Sequence, residues 1–263
     1  MNKFYIQITL FLLSIFAYAN NEAFAAETAP GQATKPKSRF ATPEEVYEQN
    51  KHLLCTNLNE IKNAEKLMNE AVKQLEYHAT SKDGYEVYAQ NPTDSISYYI
   101  KKFDDQTNIL KVHLNIYAAN QYNDMINRLW DPNGPKIFNK GTSGILYMYN
   151  PNLVFKYQVF EKDSKCYNKF FFALVGKVEI SKDKTIIAMT SVNKDDRNHS
   201  NKKYKNPILK SAESFYSPLE HDSNAVDENY REIYVNLAGY LIEKKGDDLE
   251  ITYIESINGH SSI

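Results

Sequence analysis

The stretch from Ile109 to Asn139 changes period partway, and that change limits the possible folds more than any other feature of the chain. It opens as Ile109-Leu-Lys-Val-His-Leu-Asn-Ile-Tyr117, with Leu110, Val112, Leu114 and Ile116 on one face. Lys111, His113 and Asn115 take the other face, the pattern of a half-buried strand. After Asn120, a favourable N-cap residue, the apolar positions become Tyr122, Met125, Ile126, Leu129 and Trp130. That spacing predicts a short amphipathic helix. Two prolines and a glycine in Asp131-Pro-Asn-Gly-Pro135 then forbid its continuation. The only Trp of the chain therefore closes a helix, between Arg128 and Asp131.

The whole chain sets the outer bounds. At 263 residues it is one large domain or two small ones. Its formal net charge of −2 gives no basic footprint, so nucleic acid is not an expected partner. No glycine-rich phosphate loop, HExxH or CxxC pattern occurs. The 6 His residues show no ligand spacing, and no Ser/His/Asp order stands out. Neither a metal, nor a cofactor, nor an enzymatic activity is expected. With 20 Tyr and 13 Phe, aromatic residues are abundant. A β-rich core with biased codon usage accounts for them, and so does a cavity lined by rings.

The N-terminus carries a processing signal. Met1-Asn-Lys3 precedes an apolar run from Ile6 to Ala19, and Ala23-Phe-Ala25 is an A-x-A site. The run is shorter than the roughly 20 apolar residues a spanning helix needs. Residues 1–25 are thus expected to be a signal peptide, making the mature protein secreted. Residues 26–41 read as a disordered leader.

Ordered structure is expected from Thr42-Pro-Glu-Glu45, a capping box with proline in the first helical position. A short helix to about Leu54 follows, then a longer one carrying Ile61, Ala64, Leu67, Met68, Ala71, Val72 and Leu75 as a stripe. From Tyr85 the pattern is mostly β, with strands near 96–103, 109–118, 145–150, 153–160, 170–180, 185–192, 232–243 and 249–257. Their short connections predict an antiparallel meander. Asn193 to Glu228 interrupts it as a polar surface loop, with a helical turn or a strand between Ile208 and Phe215. Cys55 and Cys166 leave one disulfide open, and Asn198-His-Ser200 is a glycosylation sequon. The fold class is α+β, a curved antiparallel sheet whose helices cross its concave side and leave a hydrophobic pocket.

The order of elements resembles a START (StAR-related lipid transfer) domain of helix-grip fold spanning 42–263, and more closely the Plasmodium fam-a (Pyst-A) family. The likeness rests on Met1-Asn-Lys-Phe-Tyr-Ile-Gln7, Asn50-Lys-His-Leu-Leu-Cys55, Glu76-Tyr-His-Ala-Thr-Ser-Lys-Asp-Gly84 and Leu129-Trp-Asp-Pro132. It continues through Tyr149-Asn-Pro-Asn-Leu-Val154, Lys184-Thr-Ile-Ile187, Val235-Asn-Leu-Ala-Gly-Tyr240 and Ile251-Thr-Tyr-Ile254. The resemblance implies a carrier of a phospholipid, phosphatidylcholine first, with transient membrane contact. It also implies export toward the host erythrocyte or parasitophorous vacuole, although Arg39-Phe-Ala41 fails the export pattern at its third position. A binding module or surface antigen on the same fold is the alternative.

A phosphocholine head group needs an Arg fork for its phosphate and an aromatic cage for its ammonium. In START proteins that carry phosphatidylcholine, an Arg and an Asp flank the Trp-Asp at this helix end. Asp131 matches that Asp. The Arg position corresponds to Asn127, with Arg128 one residue later. The family's cage spacing falls on Tyr157, Val159 and Phe170, with Asn236 as a fourth wall. START domains continue past the last strand into an amphipathic lid helix, whereas this sequence stops at Ile263. The expectation is a partly uncovered apolar face around Leu110, Val112 and Leu114.

Overall fold

The computed structural model describes residues 40–90, 95–131, 141–160, 168–195, 204–220 and 230–258. The expected signal peptide, most of the leader, Cys166, the sequon and the five C-terminal residues lie outside the described residues. Three helices are described: α1 (Pro43–Gln49), α2 (Leu58–Thr80) and α3 (Tyr122–Trp130). Twelve strands follow in chain order: β1 (Glu86–Gln90), β2 (Ile96–Lys102), β3 (Asn108–Ile116), β4 (Gly141–Asn150), β5 (Leu153–Phe160) and β6 (Asn168–Ser181), then β7 (Lys184–Thr190), β8 (Asn193–Asp195), β9 (Tyr216–Glu220), β10 (Tyr230–Glu232), β11 (Tyr234–Lys245) and β12 (Asp248–Asn258). None of the described helices is long and apolar enough to cross a membrane.

The capping box forms as the sequence demands. Thr42 Oγ1 accepts the Glu45 N–H at 3.2 Å, and the Glu45 carboxylate accepts the Thr42 N–H at 3.0 Å. Helix α1 is shorter than expected, because the chain turns into a 3-10 segment at Lys51–Leu53. Asn57 caps α2 by accepting from the Asn59 and Glu60 N–H groups. Its C-terminal end is capped from the sheet. Lys111 Nζ donates to the carbonyls of His78 and Ser81 at 3.2 and 2.5 Å and sits 3.7 Å from the Tyr85 ring centroid. Lys111 was expected on a solvated face and is instead 6% exposed. The β3 alternation holds only in the second half of the strand: Ile109 and Lys111 are buried beneath α2 and its C-terminal end, whereas His113 and Asn115 stay partly exposed.

The strand order is β1-β2-β3-β12-β11-β7-β6-β5-β4, with short β10 beside β6. Two antiparallel meanders, β1–β3 and β4–β7, are thus joined edge to edge by the final β11–β12 hairpin. A simple meander would have left β12 at an edge. The hairpin goes to the centre because every residue of β11 from Val235 to Ile242 is buried, which only a sheet covered on both faces permits.

The two faces carry separate cores. On the outer face α2 packs Leu67, Leu75 and their neighbours against Phe155, Leu174, Ile186, Leu237 and Ile254. On the inner face α3 and α1 pack Met125, Trp130 and Val46 against Leu110, Val112, Val175, Ile187, Tyr240 and Ile251. The helices were expected together on the concave side, so this is a correction. The α2 stripe is satisfied by the outer residues of β6, β7 and β11. Leu110, Val112 and Leu114 are at most 6% exposed, so the expected open face is buried. The insertion is also less superficial than its polarity suggested. Leu209, Ala212 and Phe215 enter the outer core, Lys210–Ser214 forms a 3-10 turn and β9 pairs with β8.

Gly239 lies where α2 crosses β11. Its φ is +143, and an added Cβ would come 2.0 Å from the Ile187 carbonyl and 2.7 Å from Leu75 Cδ1. Gly239→Ala is expected to cost at least about 1–3 kcal/mol through overpacking and strain. Gly246→Ala, where no atom lies within 4 Å of the added Cβ, is expected to cost less. Thermal unfolding followed by circular dichroism ranks the two. Equal melting temperatures would contradict the close approach at Gly239.

Candidate functional site

Helix α3 is placed by its ends. A 3-10 turn at Ala119–Gln121 leads in, and the N-cap is Gln121, without a side-chain cap bond. The expected Asn120 cap is not used, since packing of Tyr122 sets the start. The Tyr122 hydroxyl lies 2.8 Å from Thr185 Oγ1 on β7. The helix then runs across the inner face and buries Met125, Ile126, Arg128 and Trp130.

Arg128 is therefore an interior residue, 8% exposed, with its guanidinium 5.6 Å from the Phe40 ring centroid. Asp131 is the C-cap of α3, and its Oδ2 accepts the Ala41 N–H at 3.3 Å. Both face the segment that enters α1. Trp130 is 7% exposed, and its Nε1 has no hydrogen-bond partner among the described residues.

The expected cage forms a group but in a different place. Phe170 pairs with Val159 and Tyr157 with Phe172 across β5 and β6. Phe170 meets Phe172 and Tyr230 edge-on at 5.7 and 6.4 Å. The alternation of β5 puts Tyr157 and Val159 on the side of Leu153 and Phe155, which belong to the outer core. Phe170 shares that side with Leu174. The cage residues thus occupy the opposite face of the sheet from Trp130 and Arg128, and the two halves of the expected head-group site do not meet. Asn236 is in a third place. It is the extra residue of a β-bulge between Val235 and Leu237. Its amide accepts from Tyr204 Oη at 2.7 Å and donates to Ser256 Oγ at 3.1 Å. That locks the 204–206 loop to β12. Asn236 also borders an open polar cleft of about 380 Å³ with Asp104, Lys205 and Asn258.

The inner face carries polar groups that the sequence reading passed over. Tyr253 Oη donates to Glu255 Oε2 at 2.6 Å, and the Tyr253 and Tyr240 rings are 5.1 Å apart. All three side chains are at most 5% exposed. Burial without a cation pushes the Glu255 carboxyl up to about 8, so it is a neutral hydrogen-bonding group at pH 7. Tyr240 Oη has no partner among the described residues. On β5, Lys156 and Gln158 share the side of Val154 and Phe160, which is the inner one. Glu255 was legible as the next step of the alternation Leu249, Ile251, Tyr253. Lys156 and Gln158 carry no such signal, because polar residues on a strand ordinarily mark its solvent side. Among the described residues no group of three or more His, Cys, Asp or Glu is placed to hold a metal.

Neutral Glu255 makes a signed prediction. An acid whose pKa is raised on folding binds more protons in the folded state than in the unfolded one between about 4.5 and about 8. Its contribution therefore favours folding below pH 4.5 and is lost as pH rises through 8. Glu255→Gln is expected to match the parent near pH 5 and to be the more stable protein at pH 8.5. Denaturant unfolding at the two pH values checks this, and a constant stability difference would contradict it.

No family model matches the chain, and no curated protein sequence does. Solved structures do. The chain is similar to human StAR-related lipid transfer protein 5 at 11% identity, over 75% of this chain and 82% of that one, with a TM-score of 0.51. It is similar to human STARD10 at 12% identity over 73% and 68% of the two chains, with a TM-score of 0.47. The human StarD13 lipid transfer and protein localization domain matches at 14% identity over 72% and 83%, with a TM-score of 0.43. At these identities the likeness is one of fold: a large antiparallel sheet with a few helices, in the START helix-grip arrangement.

Proposed function

We propose that this chain binds a phospholipid against the inner face of its sheet and passes it between membranes. The observation that carries the proposal is the composition of that face. It is apolar from Leu110 on β3 across to Val175 on β6, yet it buries Trp130 Nε1 and Tyr240 Oη without a described partner. Buried polar atoms are normally hydrogen-bonded. Isolated unfilled donors on an apolar surface suit a ligand with long hydrocarbon chains and a few polar atoms. The START fold supports the reading, because the human protein of that fold named above is by its name a lipid transfer protein.

Phosphatidylcholine is the species the fam-a resemblance suggests. Its choline cage would need Tyr157, Val159 and Phe170 beside Arg128, and the strand alternation separates them, so the proposal stops at the phospholipid class. The pattern of residues 1–25 supports secretion, and the fam-a likeness supports export beyond it.

The single Trp is the reporter. Protein purified without detergent is expected to show a phospholipid adduct by native mass spectrometry. Delipidated protein given phosphatidylcholine vesicles is expected to shift its tryptophan emission as ligand reaches Trp130, and to move a fluorescent phospholipid to acceptor vesicles. Binding without movement would favour the binding-module alternative. No adduct and no emission change would overturn the lipid reading.

A further inference from the structure

The strand Leu153-Val-Phe-Lys-Tyr-Gln-Val-Phe160 is apolar on both sides except at Lys156 and Gln158. Its odd positions face α2 and the outer core. Its even positions, Val154, Lys156, Gln158 and Phe160, face the inner core. Lys156 stands opposite Ala173 on β6 and Ile145 on β4. Ala173 is fully buried and small, and Ile145 packs against the inner core. The ammonium is thus set into an apolar wall.

Three observations distinguish this lysine from Lys111, which is also enclosed. Lys111 is satisfied by two carbonyls and an aromatic ring. Lys156 has no hydrogen bond and no carboxylate partner among the described residues, and burial alone accounts for its lowered pKa of about 8. The amine is therefore still mostly cationic at neutral pH. Yet its side chain is only partly buried and keeps accessible surface, unlike its neighbours Phe155 and Ala173. A cation in apolar surroundings, with no carboxylate beside it and with accessible surface left, can take up an anion. Arg128, another cation of this side, is packed against Phe40, and Lys177, on the same side of β6, has the Glu44 carboxylate nearby.

We infer that Lys156 is the anion receptor of the inner face, holding the phosphate or carboxylate end of a bound amphiphile whose hydrocarbon chains lie along the apolar core. The inference rests on the lipid-binding reading above and sharpens it to an anionic head group inserted into the fold. Gln158, two residues along the same face, lies about 6–7 Å away by the strand rise and offers amide donors to the same oxygens.

The test uses Lys156→Met and Lys156→Arg in the full chain, with three probes: oleate, a phosphatidylcholine and an uncharged diacylglycerol. Trp130 emission and native mass spectrometry read binding. Lys156→Met is expected to lose about ten- to a hundredfold in affinity for oleate and phosphatidylcholine, the two probes that carry an anionic group, and to keep diacylglycerol binding, while Lys156→Arg restores anion binding. Its melting temperature without ligand is expected to rise, since an unpaired interior cation is replaced by a side chain that suits the wall. Oleate bound as tightly as the phospholipid assigns the site to carboxylates as well, and phospholipid alone assigns it to the phosphate; either result supports the receptor. Equal affinity of parent and Lys156→Met for both anionic probes would overturn the inference while leaving lipid binding intact, and would mean that water satisfies the amine. A parent that binds none of the three probes would overturn both.

Discussion

Burial of β11 on both faces is the constraint from which the rest of the molecule follows. Eight successive residues, Val235 to Ile242, have almost no access to water. A strand of that kind must be central and must have a layer on each side. β12 and β7 supply its neighbours, α2 supplies one layer, and α3 with α1 supplies the other. Gly239 lets the outer layer approach closely, because any side chain there would collide with the Ile187 carbonyl and Leu75.

The two layers are not equivalent. The outer one is closed by a 23-residue helix whose apolar stripe meets the sheet directly, and the Lys111 amine there is hydrogen-bonded, while Asn115 Oδ1 on the same side of β3 has no partner among the described residues. His78 is held neutral there, with its pKa lowered to about 4 by burial and by Lys101 and Lys111. The inner layer is closed by shorter elements and retains two buried donors that lack described partners, Trp130 Nε1 and Tyr240 Oη, beside the partly exposed Lys156 amine. A stable fold tolerates such groups where something other than the protein fills them, since each unfilled buried donor costs about 1–3 kcal/mol. The asymmetry between the layers is the physical basis for placing the ligand on the inner side.

The end of α3 shows how the same residues can be read two ways. Arg128 and Asp131 were legible as a charged pair beside the only tryptophan. In the fold, Asp131 accepts the Ala41 N–H and Arg128 lies against Phe40, so this corner anchors the start of the domain. The bulge at Asn236 serves a comparable purpose, tying the 204–206 loop to β11 through Tyr204 and Asn206 and reaching the last strand through Ser256. Side chains suited to a ligand are equally suited to fastening backbone, and only their neighbours distinguish the two uses.

The sequence by itself determined the local structure. The capping box at Thr42, the α2 stripe, the switch from strand to helix before Trp130 and the main sheet-forming segments follow from interactions a few residues apart, and all were legible, as was the α+β class. Four short strands were not: β8, β9 and β10 depend on partners distant in the chain, and β1, which pairs with the neighbouring β2, is exposed along its whole length and carries no alternation in burial. Tertiary structure alone decided which side of each strand became the inside. On β5 both sides are apolar enough to be buried, so periodicity fixed that Tyr157 and Val159 share a face but not which face it was. That choice came from α2 covering the odd positions, and it moved the expected cage outward and brought Lys156 inward. Alternation gives relative orientation along a strand. Absolute orientation is set by what packs against it, and that information is spread over the whole chain.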